Sequence, residues 1–298
     1  MVSIKLDASL LDVFVKEYQQ YSEPNNGEYI YFFAKKGKLV ITLYQSKKGY
    51  KVLFDGLSSL EEAKKWDKEA APIVPKKHVV TDWLCLEDQI GSDEVGVGDL
   101  VLPIVVAAAY VKKEDIPFLL ELGVKDSKKM KDDEILDVVP LLINKINVSK
   151  LTLSTEKYNE LITKGENLNS IKAKMHNQAL KNLKNKHSEV DNIFVDEFVK
   201  EETYFKYLAT SEPLRGITFK TKGESYYPSV AVGSLIARYS FLKEKEKLEN
   251  KYGMTFPLGA GKKADEFAIK FIEKYGIEEF DKIVKKNFAN YDEVIKLI

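Results

Sequence analysis

Residues 91–99 read GSDEVGVGD, and the meaning of this stretch decides the architecture of everything around it. Two adjacent carboxylates, Asp93 and Glu94, are followed at once by Gly96 and Gly98. Acids at the end of a buried strand are costly unless a cation compensates them. Successive strand side chains point to opposite faces, so both acids serve one site only if the strand breaks there. Glycines supply such a break and let a second backbone or a ligand come close. The same nine residues would also suit a polar hairpin with solvated acids, so the rest of the chain has to choose.

The 298 residues are 44% hydrophobic, enough for one large domain or for a large and a small one. A single cysteine, Cys85, excludes an intrachain disulfide and a cysteine-rich metal site, and fits a reducing compartment. Asp7 and Asp12 interrupt the stretch where a signal peptide needs an apolar core. The longest apolar run, 100–111, is too short to span a bilayer and contains Pro103. A soluble cytoplasmic protein is expected, with no membrane and no obligate protein partner, hence a monomer.

Basic and acidic residues cancel overall, 46 against 46, but not locally. Tyr29 to Phe54 holds six lysines and no acid: Lys35, Lys36, Lys38, Lys47, Lys48 and Lys51, interleaved with Tyr29, Tyr31, Phe33, Tyr44 and Tyr50. Alternation there predicts strands near 28–34, 38–45 and 50–54, flanked by helices over roughly 8–21 and 59–70. A small helix–sheet–helix domain over 1–70 with a basic, aromatic face suits sequence-tolerant nucleic-acid binding, with Lys47, Lys48 and Lys51 as candidate contacts. An ordinary solvated sheet face would look the same.

Residues 71–87, with Pro72 and Pro75, read as a linker to a second domain over 88–298. Its pattern predicts strands at 88–95 and 101–111, helices near 113–121 and 131–145, and a strand at 149–154. A helix near 170–187, a strand at 191–197, a short helix near 201–208 and a helix at 227–248 follow. Strands first, then strands alternating with helices, imply an α/β mixed sheet flanked by helices.

More acids fall where a cation site would need them. NIFVDEF (192–198) is an apolar strand ending in Asp196 and Glu197. Parallel strands offer their carboxyl ends to ligands, so Asp196 could meet Asp93. Glu224 precedes a helix with Pro228 in its first turn and the small residues Ala231, Gly233, Ser234 and Ala237, suited to close packing on a sheet. Carboxylates converging without histidine describe a site for hard divalent cations. Without metal they would repel, and some would protonate.

The segments GSDEVGVGD (91–99), VKDSKKM (124–130), NLNSIKAKMHNQAL (167–180), FVDEF (194–198) and GESYYPSVAVGSLIARY (223–239) resemble those of prokaryotic type 2 ribonucleases H. A glutamate as fourth acid together with an extra N-terminal domain is similar to ribonuclease HIII. YQSKKGYKVLFDG (44–56) resembles that family's TATA-box-binding-protein-like (TBP-like) substrate-binding domain, and PLGAGKKAD (257–265) and KNFAN (286–290) continue the match.

The resemblance implies a ribonuclease H-like fold preceded by a small α+β TBP-like domain. It also implies an endonuclease that hydrolyses the RNA strand of RNA/DNA hybrids by a two-metal mechanism, leaving 5′-phosphate and 3′-hydroxyl. The family's four metal-binding, catalytic acids fall on Asp93, Glu94, Asp196 and Glu224. Mg²⁺ is the expected metal and Mn²⁺ its substitute. Gly96, Val97 and Gly98 match the loop that reads 2′-hydroxyls through backbone groups, the one feature separating RNA from DNA at a given site. Val97 stands where a small polar or basic residue is expected, so a backbone contact survives there and a side-chain phosphate contact does not. Lys125, Ser127 and Lys128 resemble phosphate-side contacts. In 257–265 the Gly-Tyr-Gly element of ribonucleases HII is missing, which implies cutting within ribonucleotide runs rather than beside one embedded ribonucleotide. A DNA-directed nuclease of the same fold, or a non-catalytic hybrid-binding protein, is the alternative.

Other features fail as motifs. Gly96-x-Gly98 lacks the third glycine of a dinucleotide fingerprint, and Gly259-Ala-Gly-Lys-Lys is no P-loop. His176 reads as a helix residue tied into packing, Arg238 as structural, and Ser92 as lacking a histidine partner.

Overall fold

The computed structural model describes residues 1–24, 30–46, 49–72, 82–124, 129–209 and 212–297. The chain divides into two compact units, 1–79 and 80–298.

In the first unit β1 (Val2–Leu6), β2 (Ile30–Lys36), β3 (Leu39–Ser46) and β4 (Gly49–Gly56) form an antiparallel sheet in the order β1-β4-β3-β2. Period-two alternation sends Val2, Ile4, Leu6, Ile41, Leu43, Val52 and Phe54 to one face. There they pack with Phe14 and Tyr18 of α1 (Leu11–Tyr18) and Ala63 of α2 (Ser59–Lys64). Strand β1 was not among the expected elements, although V-S-I-K-L alternates plainly. Glu62 is buried at the end of this core. It accepts from the hydroxyl of Tyr18 (2.9 Å) and from Lys65 (2.9 Å), with Lys36 at 3.3 Å. Burial alone would raise this carboxyl, but those partners hold it below the usual carboxylate range.

The second unit is built on a five-stranded mixed sheet, in the order β7-β6-β5-β8-β9. Its strands are β5 (Gln89–Val95), β6 (Ile104–Val111), β7 (Asn147–Leu153), β8 (Asn192–Asp196) and β9 (Ile217–Lys220). β6 runs antiparallel to both β5 and β7, whereas β5–β8 and β8–β9 are parallel. The helices are α3 (Ile116–Glu121), α4 (Asp132–Lys145), α5 (Thr155–Thr163), α6 (Leu168–Lys184), α7 (Glu201–Tyr207), α8 (Pro228–Tyr252), α9 (Lys262–Tyr275), α10 (Ile277–Phe280) and α11 (Ala289–Ile295). The expected mixed sheet flanked by helices is therefore present. α5 and β9 are additions, and β6 begins at Ile104 because Leu100–Pro103 form a buried turn instead of strand.

α6 and α8 cover opposite faces of the central strand, and β5 sorts its side chains between them. Ile90 and Ser92 face α6, the first in a core with Ala173, Leu180 and Leu183 and the second bonded to His176. Gln89 and Gly91 face α8: Ser229 donates to Gln89 Oε1 at 2.9 Å, and a Cβ added to Gly91 would lie 2.3 Å from Ser229 Oγ. On Gly233 it would lie 2.9 Å from the Ala107 carbonyl. The small residues thus let α8 lie against the sheet backbone. Among the described residues, no helix is long and apolar enough to cross a membrane.

Candidate active site

β5 does not break between its two acids; it runs through both to Val95 and turns only at Gly96. Its alternation therefore sends Asp93 toward α8 and Glu94 toward α6. Asp93 is 8% exposed, accepts from the Glu94 backbone N–H at 2.7 Å and is hydrogen-bonded by Ser234. Burial, reinforced by the charges of Glu94 and Asp196, pushes its carboxyl up to about 8.

Asp196 ends β8 on the α8 side. Its neighbours Ile193 and Val195 pack in the α6 core, while Phe194 stacks on Tyr227 at 3.8 Å beside Val230. The backbone N–H of Gly223 donates to Asp196 Oδ1 at 2.7 Å. The next residue is Glu224, 2% exposed, on a short helical turn over Gly223–Ser225. A side chain at 223 would crowd the Asp196 Cα at 3.3 Å, so the missing Cβ brings this turn close to the strand end. Asp93, Asp196 and Glu224 thus lie on one side of the sheet, at the carboxyl ends of two parallel strands.

Glu94 is held differently. Lys172 of α6 pairs with Oε1, and His176, one turn on, places Nε2 2.9 Å from Oε2. Burial would raise the Glu94 carboxyl, but the hydrogen bonds and charges of His176 and Lys172 keep it below the usual range. The ammonium of Lys172 also sits 4.0 Å from the ring centre of Phe198. His176 is completely buried, and its Nδ1 meets Ser92 Oγ at 2.8 Å. Ser92 therefore has a histidine partner after all. The serine is itself wholly buried, so this Ser–His–Glu chain orients a carboxylate and offers no nucleophile to a substrate. Lys172 and His176 were missed as site residues. Their spacing, i and i+4 on a helix, was the available signal.

The oxygen-only donors suit a hard divalent cation such as Mg²⁺ or Mn²⁺. Asp93 has the electrostatic mark of such a site, since its buried charge is opposed by two neighbouring carboxylates that a cation would relieve. Among the described residues, no three His, Cys, Asp or Glu side chains are closed up as a finished cage.

The turn after β5 is fixed by its glycine. Gly96 has φ +90°, and a Cβ there would stand 2.1 Å from the Pro103 carbonyl. Val97 packs beside Ile104, Tyr158 and Ile171, which turns its side chain inward. Gly98 is exposed, with nothing within 4 Å of where a side chain would begin. The loop thus presents backbone. The Gly259–Gly261 turn, discarded above as a phosphate loop, supports it: Gly259 N–H donates to Asp99 Oδ1 at 2.6 Å, and Leu100 N–H to the Gly259 carbonyl at 3.1 Å.

Lys125, Ser127 and Lys128 lie outside the described residues, as do Lys47 and Lys48. Lys51 is on β4, abreast of Lys5 on β1 and Tyr44 on β3, on the face turned away from the first unit's core. Lys35 is paired with Glu23 at 2.7 Å and Lys36 with Glu62, so part of the acid-free lysine run is neutralised by acids from elsewhere in that unit. Arg238 makes a two-pronged bond to Asp132, at 2.9 and 3.0 Å, and acts structurally as expected.

Residues 90–291 match the family described as Ribonuclease HII, and residues 1–78 match a domain of unknown function (DUF3378). Ribonuclease HIII of Bacillus cereus is 37% identical over 309 aligned residues, covering 100% of this chain and 98% of that protein. Ribonuclease HIII of Bacillus mycoides is equally similar, with the same coverage. Among solved structures, Bst-RNase HIII in complex with Mn²⁺ aligns with a TM-score of 0.69 at 35% identity, over 99% of this chain and 98% of that one. Aquifex aeolicus RNase H3 shares the fold at 22% identity, with a TM-score of 0.56 over 96% of this chain and 100% of its own.

Proposed function

The chain belongs to the ribonuclease HIII family, and from that premise we infer that it is an endoribonuclease acting on the RNA strand of RNA/DNA hybrids. Asp93, Asp196 and Glu224, with Glu94 reached across the strand end, hold divalent metal, Mg²⁺ in the first place and Mn²⁺ as its substitute. One observation carries this assignment: Asp93 is buried at the end of β5, beside its parallel partner β8, and burial together with the charges of Glu94 and Asp196 pushes its carboxyl up. Bound between these acids, such ions would supply a nucleophile near neutral pH and offset charge on the departing oxygen, the chemistry that would leave 5′-phosphate and 3′-hydroxyl.

The chain's own residues set the conditions for that chemistry. Ser234 and the Glu94 N–H hold one Asp93 carboxylate in place, and Gly223 does the same for Asp196. Lys172 and His176 keep Glu94 ionised inside the protein. The exposed backbone at Gly98 follows Glu94 closely in the chain and offers a ribose 2′-hydroxyl, a group that both donates and accepts, the contact that tells it from deoxyribose. The lysines of the first unit add phosphate contacts that carry no sequence preference.

The assay uses an RNA/DNA hybrid, double-stranded RNA, double-stranded DNA and a DNA duplex with one embedded ribonucleotide, each with Mg²⁺ or with chelator. Cleavage of the hybrid with Mg²⁺ alone, and weak incision at the single ribonucleotide, are expected. Cleavage of double-stranded DNA would mark a DNA-directed nuclease, and tight hybrid binding without turnover a binding protein.

A further inference from the structure

Lys285 is completely buried, although it belongs to neither the acid cluster nor any exposed basic surface. Its ammonium donates to the carbonyls of Gly96 at 2.9 Å, Leu102 at 2.5 Å and Asp99. An ammonium has three protons, so the three acceptors saturate it. The backbone N–H of the same residue donates to the Leu100 carbonyl at 2.9 Å. Four carbonyls within the seven residues 96–102 therefore end on one lysine, and that loop begins two residues after Glu94.

Lys285 is itself fixed from both sides. Asn159 of α5 donates to the Val284 carbonyl at 2.8 Å and accepts from the Lys286 N–H at 3.0 Å, bracketing it in the chain. The rings of Tyr158 and Phe288 lie 6.0 and 5.8 Å from its ammonium. Burial pulls the ammonium down to about 7, against the opposing charge of Asp99. A buried charge is a poor source of stability compared with a hydrophobic side chain of similar size. What the lysine achieves is geometric, since four carbonyls are drawn inward on one side of a loop whose opposite edge, at Gly98, is exposed.

We propose that Lys285 is a positioning residue for cleavage, its ammonium locking the Gly96–Leu102 loop in the conformation that offers the Gly98 backbone to the ribose of the RNA strand. The inference rests on the reading of that loop as the element that senses the 2′-hydroxyl. Lys285 touches neither substrate nor acids; it acts through the loop. Without the three donors, the carbonyls of Gly96, Asp99 and Leu102 lose their shared partner and turn outward toward other donors.

The test pairs K285M, which keeps the length and removes the donors, with N159A, which loosens the bracket and leaves the lysine in place. Each is assayed on an RNA/DNA hybrid with one cleavable position and on the same hybrid carrying a single 2′-deoxy nucleotide there. Mn²⁺ affinity is measured in parallel by calorimetry. In the unaltered protein the 2′-deoxy change should cost at least about tenfold in kcat/KM. In K285M that penalty should shrink toward unity, with KM for the all-ribose hybrid raised by about tenfold and Mn²⁺ affinity kept within about twofold. N159A should give a smaller shift in the same direction, and carries the test alone if K285M does not fold.

A full 2′-deoxy penalty retained in the folded variants overturns the role of Lys285. So does an equal loss on both substrates together with lost Mn²⁺ binding, which would mark general damage. An unaltered protein indifferent to the 2′-deoxy change overturns the reading of the loop itself, a separately recognisable result.

Discussion

His176 Nε2 lies 2.9 Å from Glu94 Oε2 while the other ring nitrogen meets Ser92 Oγ at 2.8 Å, so one histidine ties two alternate residues of β5 to α6. Ser92 and Glu94 project to the same face because they are two apart, and His176 spans the gap between them. The pairing fixes the carboxylate plane of Glu94 through a ring that cannot itself rotate freely. Partners of this kind orient a metal ligand without touching the metal.

H176A should therefore weaken Mn²⁺ binding by about 10- to 100-fold and lower activity in proportion, with hybrid affinity in chelator unchanged. Calorimetric titration with Mn²⁺ checks this, and an unaltered affinity would reduce His176 to a packing residue.

The Asp93 charge is opposed by burial and by its neighbouring carboxylates, and its removal should show that. A carboxyl raised in the folded state binds its proton more tightly there, so stability is lost as pH rises from about 4 toward 8. In chelator, D93N should melt higher than the unaltered protein by about 2–4 °C at pH 8 or above, and the difference should vanish near pH 4. Adding Mg²⁺ or Mn²⁺ should raise the melting temperature of the unaltered protein but much less that of D93N. Hydrolysis by D93N or D196N should fall at least about a hundredfold. Near-normal turnover by either variant with Mg²⁺ would refute the placement of the site.

Gly91 is held to glycine by sterics, because an added Cβ would stand 2.3 Å from Ser229 Oγ and 2.6 Å from the Val230 nitrogen. G91A should destabilise the protein by about 1–3 kcal/mol through overpacking and push α8 off β5. Denaturant titration measures the loss. A variant as stable as the parent would show that α8 has more freedom than its backbone contact with β5 implies.

Phosphate contacts from the first unit should announce themselves through salt. Deleting residues 1–80 should raise KM for the hybrid and flatten the salt dependence of binding, since fewer counterions are released. The combined change K47A, K48A and K51A should raise KM with kcat roughly unchanged, the mark of lost uniform binding. If salt slope and KM stay put in both, this unit serves stability or another partner.

Much of this was legible in the residues. Asp93, Asp196 and Glu224 each precede or end an element with a strong apolar period, so their placement at strand and helix ends could be read directly. Glu94 was harder. Adjacency to Asp93 suggested a shared site, whereas an unbroken β5 assigns the two to opposite faces, and only the partners on α6 reveal what Glu94 does. Ser92 and Lys285 were illegible for a related reason. Their partners are 84 and at least 183 positions away, and no local pattern reports a contact of that range. β1 and β9 are short, four or five residues each, and owe their pairing to neighbours that are distant in the chain.

The order in which the site's parts occur along the chain has a consequence in time. β5 emerges early in the second unit, yet its parallel partner β8 follows only after nearly a hundred further residues, and the Glu224 turn later still. At about 5–20 residues per second of synthesis, roughly 7–26 s separate the first acid from the last. Until the last of these acids is made, the growing chain carries an incomplete set, so it can fold its first unit while the site is still unfinished.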